Sequence, residues 1–298
     1  MSTNSCIRAA CVQINSTADV VANLLKLEGF FEQAQAAGAE LVVLPENFAQ
    51  MPGSSKERHV EQWRADRAGD DAPVQQFIWR AAKHYQLTIV AGSLAVSAHH
   101  HKKALARCFV VDPQGQLIGQ YDKIHLFDVD TGVGDERIRY SESDDFEPGA
   151  LNQVTQGLVG AMTNLSRDDV EIKLGLSICY DVRFPEWYRQ LQSAGAQLLS
   201  VPAAFTFETG KVHWEVLLRA RAIENQCFVL AAGQCGTHPQ ASSPKKPRQT
   251  WGHSMIIDPW GRILASLEHA EGLLIADLDL ISRDSIIARF PAVNHRRV

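Results

Sequence analysis

Cys179, Glu46 and Lys123 are the residues whose types and settings could together transfer an acyl group from an amide. Cys179 lies in Lys173-Leu174-Gly175-Leu176-Ser177-Ile178-Cys179-Tyr180-Asp181-Val182-Arg183-Phe184-Pro185-Glu186. The first half of that run is short and apolar, as a buried strand is. Pro185 stands where a first helical turn would begin, with Glu186 beside it near the positive helix end. The spacing therefore predicts a strand-to-helix bend at Cys179, with main-chain N–H groups pointing at whatever binds. Such dipoles favour a thiolate, so the sequence predicts a thiol that ionises more easily than one in a core. The plainer use of a buried cysteine is as a small core hydrophobe.

Glu46 follows the predicted strand Leu41-Val42-Val43-Leu44, which Pro45 closes, and Lys123 follows a hairpin in Tyr121-Asp122-Lys123-Ile124-His125-Leu126. In open α/β sheets ligands gather outside the carboxyl ends of strands, so the three can converge on one rim. A thiolate nucleophile, a carboxylate base and a cation for a developing oxyanion are what amide acyl transfer requires. The carboxylate takes the thiol proton and later one from water, and its conjugate acid protonates the leaving amine. The lysine must stay charged while partly dehydrated, which a neighbouring carboxylate assists; Glu142 is the candidate. Taken singly, Glu46 could cap a loop and Lys123 could form an exposed ion pair with Asp122 worth little. Taken jointly, those readings need three coincidences at matching strand ends.

Other chemistries find less support. His125, His213 and His253 follow no pattern that ties them to Cys179. His99, His100 and His101 are adjacent on a polar tip and cannot all face one ion, so no metal site is expected. The Pro244-Lys245-Lys246-Pro247-Arg248 run reads as a solvated turn. With 298 residues, 45% hydrophobic and 21% charged, the composition is that of a globular protein with a substantial core. A formal charge of −5 gives no nucleic-acid bias. No apolar run approaches membrane-spanning length, and the first residues lack the features of a signal peptide. The six cysteines show no C-x-x-C spacing and read as reduced thiols, so a cytoplasmic location is expected.

The elements that must position the trio come in two similar series. Ile7–Ile14 is a strand. A helix follows, carrying Val20, Leu24, Leu27, Phe31 and Ala34, and Gly38 stops it before the strand at 41–44. Residues 47–70 read as a long loop. A helix entered at Asp71 and Pro73 and a strand at Leu87–Val96 come next. A hairpin then turns at Asp112-Pro113-Gln114-Gly115. The second series has a strand at Ile172–Cys179, a helix ended by Gly195, and a strand closed by Pro202, Gly195 and Pro202 being spaced like Gly38 and Pro45. A helix at His213–Asn225, a strand at Phe228–Ala232 and a turn at Asp258-Pro259-Trp260-Gly261 complete it, and Leu273–Leu278 closes the sheet. Two such halves imply an α/β fold, a four-layer α-β-β-α sandwich of two mixed sheets with an internal pseudo-two-fold repeat. No Gly/Ser/Pro linker of useful length separates the halves, so a single domain over 1–298 is expected.

Leu44-Pro45-Glu46, Tyr121-Asp122-Lys123-Ile124-His125-Leu126-Phe127-Asp128 and Gly175–Glu186 resemble the three signatures of the nitrilase superfamily of carbon–nitrogen hydrolases. The likeness runs essentially end to end. It implies a cofactor-free Glu-Lys-Cys hydrolase on an α-β-β-α sandwich that dimerises, with Glu46 as base, Cys179 as nucleophile and Lys123 as oxyanion stabiliser. The Tyr180 N–H would be the second oxyanion donor, and Glu142 resembles the family's positioning glutamate. The stretch His213–Glu224, with Gln226-Cys227, Gln234-Cys235-Gly236 and Trp251-Gly252-His253-Ser254, is similar to the Nit-type amidase branch. That branch implies a small linear amide of an α-keto acid as substrate, of the deaminated-glutathione kind or, alternatively, α-ketoglutaramate. Arg183 is the expected holder of a substrate carboxylate and Phe205 an expected pocket wall; a structural ion pair of Arg183 with Glu186 or Asp181 is the competing use. Outside enzymes, the alternative is a scaffold or signalling protein that kept the fold and lost turnover, against which the intact trio argues.

Overall fold

Strands with apolar residues on both faces are satisfied only in sheets covered on both sides. The computed structural model, which describes residues 6–65, 71–97, 102–131, 138–152, 161–167, 170–238 and 247–297, has two such sheets. In chain order the elements begin β1 (Cys6–Gln13), α1 (Val20–Ala36), β2 (Leu41–Val43), β3 (Glu61–Gln62), α2 (Pro73–Tyr85), β4 (Thr88–Ser97), β5 (Leu105–Val111) and β6 (Leu117–Asp122). A small hairpin of β7 (Asp128–Thr131) and β8 (Ile138–Ser141) follows, then β9 (Met162–Arg167), β10 (Val170–Leu176), α3 (Pro185–Ser193), β11 (Leu198–Ser200), α4 (Phe207–Asn225) and β12 (Phe228–Ala231). The chain ends through β13 (Cys235–His238), β14 (Arg248–Trp251), β15 (Met255–Ile257), β16 (Ile263–Ser266), β17 (Gly272–Asp279) and α5 (Leu280–Arg289).

The first sheet runs β17-β1-β2-β4-β5-β6, with β3 added to the end of β4, and the second runs β16-β15-β12-β11-β10-β9. Each has a parallel centre (β1-β2-β4; β10-β11-β12) and antiparallel flanks. Alternation assigns the faces of the first sheet. Ala10, Val12, Val42, Leu44 and Ile89 pack on Leu27, Phe31 and Ile78 of α1 and α2. Ala9, Cys11, Leu41, Val43 and Val90 join one cluster with Leu174, Leu198 and Val229 of the other sheet, together with Trp187, Trp214 and Leu218 of α3 and α4. The layers are thus α-β-β-α, as the sequence implies.

Four boundaries differ from expectation. The loop at 47–70 contains a 3-10 turn at Ser55–Glu57 and the short strand β3. Strand β10 stops at Leu176, so Cys179 lies in a 3-10 turn, Cys179–Arg183. Helix α4 begins at Phe207, two turns before His213. Strand β17 does not extend the second sheet: it crosses back to pair antiparallel with β1 and takes the edge position that β9 holds in the other sheet. The predicted His99–His101 tip and most of the 244–248 run lie outside the described residues. No helix among the described residues is long and apolar enough to cross a membrane.

Candidate active site

Pro45 has no N–H to continue the sheet ladder, so the chain leaves β2 at that point and turns Glu46 inward. Strand β4 crosses this turn at Gly92, where a Cβ would fall 2.0 Å from the Pro45 carbonyl oxygen; no larger residue fits. Next to it the β4–β5 register shifts, and the Ser93 hydroxyl accepts the Asn47 N–H at 2.9 Å. From the other half, the buried Gln234 amide donates to the main-chain oxygens of Glu46 (3.0 Å) and Asn47 (3.2 Å). The Glu46 backbone is therefore clamped from both halves of the chain.

The side chains then meet. Glu46 Oε1 accepts from Lys123 Nζ at 2.8 Å and Oε2 from the Ala204 N–H at 2.7 Å. Lys123 is fixed by its N–H to Ala106 O (3.0 Å), and its ammonium also lies 2.9 and 2.8 Å from the two oxygens of Glu142. Glu142 opens a 3-10 turn after β8, and its carboxylate takes the Phe127 N–H at 2.7 Å. Cys179 has a left-handed φ of 47° and donates its N–H to Pro202 O at 2.8 Å. Its thiol opens on the same cavity as the Glu46 carboxylate, near enough for that charge to act on it. At 4%, 2% and 7% exposure, Glu46, Lys123 and Cys179 are withdrawn from solvent, which rules out the surface ion pair of Lys123 with Asp122. Asp122 instead pairs with Arg107.

Burial raises the energy of every charge here, and the neighbours decide which charges persist. For Glu46, burial pushes the pKa up, but the Lys123 charge and hydrogen bond, with help from the nearby Cys179 thiol, outweigh it, leaving it below the ordinary value. For Lys123, burial pulls the pKa down, and Glu142 and Glu46 together hold it well above the ordinary value. The Cys179 thiol is pushed well above its usual range by burial and by the Glu46 charge, with Lys123 only partly opposing. That corrects the sequence expectation of an easily ionised thiol. The resting arrangement is a neutral thiol, a carboxylate and an ammonium held by two acids.

These groups open into a cavity of about 180 Å³. Tyr180 and Phe205 line it, whereas Arg183 does not: its guanidinium rides over the Tyr180 and Phe205 rings at 5.8 and 5.1 Å, on the rim. Among the described residues Arg183 has no ion pair with Glu186 or Asp181 and instead meets His213 Nδ1 at 3.3 Å. Asp181 is fully buried and accepts from the Ile178 N–H (2.8 Å) and the Tyr121 hydroxyl (2.7 Å), with His125 Nδ1 at 2.7 Å. It thereby ties the cysteine bend to the segment that carries Lys123. The sequence reading gave Asp181 no such role, and it also missed Gln234, Arg58 and Arg248. Arg248 is a correction: read as part of a solvated turn, it is the first residue of β14 and lines the cavity. The period-two burial of Arg248, Gln249 and Thr250, with only Gln249 exposed, is the local signal for it. Among the described residues no group of three or more His, Cys, Asp or Glu could hold a metal.

A family model for carbon-nitrogen hydrolases matches residues 8–287. A deaminated glutathione amidase of Synechocystis is 40% identical over 289 residues, covering 97% of this chain and 97% of that protein. One from Yersinia enterocolitica is 36% identical, covering 97% of this chain and 92% of that protein. The crystal structure of the Caenorhabditis elegans NitFhit protein superposes with a TM-score of 0.81 at 33% identity, over 99% of this chain and 66% of that one. Saccharomyces cerevisiae Nit3, a member of branch 10 of the nitrilase superfamily, gives a TM-score of 0.78 at 26% identity, over 99% of this chain and 97% of that one.

Proposed function

From the premise that the chain belongs to the carbon-nitrogen hydrolase family, we propose that it is a thiol amidase working through a Cys179 thioester. The observation that carries the mechanism is that one buried carboxylate, Glu46, holds the Lys123 ammonium at 2.8 Å and shares one cavity with the Cys179 thiol. Because the thiol holds its proton tightly and Glu46 does not, proton transfer occurs together with attack of Sγ on the amide carbonyl carbon rather than before it. As Glu46 becomes neutral, Lys123 loses one of its two anionic partners, and its charge turns to the oxyanion, assisted by the Tyr180 N–H. The Tyr180 N–H stands in the first turn after the bend, where no earlier turn supplies it an acceptor. Collapse breaks the C–N bond, and Glu46 returns the proton to the departing amine. Water then attacks the thioester, giving its proton to Glu46, and the carboxylic acid leaves with Cys179 restored. Glu142 keeps Lys123 charged and in place throughout.

The substrate we infer is a linear α-keto acid amide bearing carboxylates, with deaminated glutathione first, in line with the names of the relatives. Phe205 walls the pocket and Arg183 meets a carboxylate at its mouth. The whole chain acts as one such unit. A homodimer is supported by an exposed apolar set on α4 (Val212, Val216, Ile223) and the neighbouring Trp260 and Phe290 rings, 5.9 Å apart. The free cysteines among the described residues suit a reducing cytoplasm.

The test is product release from deaminated glutathione and from α-ketoglutaramate, the higher kcat/KM identifying the substrate class. Cys179→Ala should lose at least roughly 10⁴-fold of the activity without altering the fold. Retained amide hydrolysis in that variant refutes the thioester, and a wild-type protein inert on every amide favours the scaffold reading.

A further inference from the structure

Two arginines besides the rim Arg183 stand at the cavity, and they are not equivalent. Arg58 is already neutralised: its Nη2 lies 3.0 Å from Asp145 Oδ2, and its guanidinium covers the Phe146 ring at 4.6 Å. Arg248 has no carboxylate partner among the described residues. Among the described residues its one side-chain hydrogen bond is a long contact, 3.4 Å, from Nη2 to the Ala204 carbonyl, and its buried Nε, like that of Arg58, has no acceptor. A guanidinium seldom stays in a wall with donors unspent, because each buried unpaired donor costs free energy.

The charges of the site make the same point. Glu46, Lys123 and Glu142 together carry one net negative charge, and Arg58 with Asp145 carries none. An anionic substrate entering beside the trio would be repelled unless a cation on the wall received it. Arg248 is that cation. It lines the same cavity as Glu46, Lys123 and Cys179, and its charge helps hold the Glu46 carboxylate ionised. The planar fork of a guanidinium matches a carboxylate with two parallel hydrogen bonds.

We propose that Arg248 is the specificity residue of the cavity, receiving a carboxylate of the substrate and so selecting anionic amides over neutral ones. The assignment rests on the amidase reading, and its test separates the two. Turnover of α-ketoglutaramate is compared with that of the diamide in which its carboxylate is replaced by a carboxamide, for the wild type, Arg248→Gln and Arg248→Lys. The expected result is a fall of about 10- to 100-fold in the ratio of the two kcat/KM values for Arg248→Gln, with partial recovery in Arg248→Lys. An unchanged ratio overturns the proposal, even if both rates decline together. A second arm needs no turnover: 2-oxoglutarate is titrated into Cys179→Ala protein with and without Arg248→Gln. A Kd raised about 10-fold or more by the second substitution sustains the assignment even if no amide is hydrolysed, in which case only the amidase reading falls. An equal Kd, or no binding to the Arg248-bearing protein, overturns it.

Discussion

The turn that leaves β2 and the turn that leaves β11 start from the same frame and finish with opposite duties. In the first half Ala9 pairs with Leu41, and in the second Leu174 pairs with Leu198, both in parallel. Counting from those pairs, Glu46 corresponds to Ala203 and Cys179 to Ile14. The likeness extends outward. Asp112 Oδ1 receives the N–H groups of Gln114 and Gln116 at 3.0 and 2.6 Å, and Asp258 Oδ1 those of Trp260 and Arg262 at 2.9 and 2.8 Å. Helices α2 and α4 both end in a left-handed glutamine, Gln86 and Gln226. Yet Ile14 and Ala203 are fully buried and only bridge to Gln234 and Gly233. At these two strand ends each half thus supplies one polar residue to the cavity, Glu46 or Cys179, and one counterpart buried in the core. A doubled frame brings the two strand ends to one seam, and the proposed chemistry depends on the halves having diverged there.

The sharpest way to break this comparison is to make position 46 as idle as position 203. Glu46→Gln keeps the shape and leaves Lys123 held by Glu142, so the protein should fold. Its kcat/KM should drop by about 10³-fold or more, with no acylation burst in a single turnover. A normal burst would mean that Glu46 is no more chemical than Ala203. A smaller effect is expected across the seam itself. Asp181 joins the cysteine bend of one half to Tyr121 and His125 of the other. Asp181→Asn retains the volume but cannot accept all these bonds, so the Lys123–Cys179 spacing should loosen. The expected loss is about 100-fold in kcat with KM little changed. A KM effect alone would make Asp181 part of the pocket rather than of the clamp.

How much of this is readable in the letters follows from distance along the chain. Glu46 is legible because Pro45 visibly ends an apolar run, and Cys179 because Pro185 marks the helix that must follow it. The repeat is legible because Gly38, Pro45, Gly195 and Pro202 fall at one spacing. The return of β17 to the first sheet is not, since a strand's pattern names its burial and not its neighbour. Nor are the clamps: Gln234 reaches Ser16 and Glu46 across 218 and 188 positions. The protonation of Cys179 escapes a local reading for the same reason. N–H dipoles at the bend argue for a thiolate, but burial and the charge of Glu46, brought from the other half, overrule them. Arg248 shows the reverse failure, where a short basic run suggests solvent although the alternation within β14 turns its first residue inward.

The last and smallest effect concerns a histidine that fastens the seam without touching the reaction. His238 is 1% exposed, with Nδ1 2.9 Å from Ser16 O, at the exit of β1, and Nε2 2.7 Å from Thr250 Oγ1 on β14. Burial pulls its pKa from 6.5 down to about 4, with the nearby Arg248 charge adding to the shift and the bond to Ser16 opposing it. The unfolded chain therefore takes up the proton first as the pH falls. Stability supplied by the neutral ring is intact above about pH 6.5 and shrinks as the pH drops toward 4, by about 2 kcal/mol between pH 7 and pH 5. Urea unfolding at those two pH values should show that loss in the wild type. In His238→Gln, which can still donate to Ser16 but does not titrate, the difference should be smaller by about that amount. If both proteins lose stability equally, the seam is not fastened by a neutral His238, and the inter-sheet core with the Gln234 and Asp181 bonds holds the halves without it.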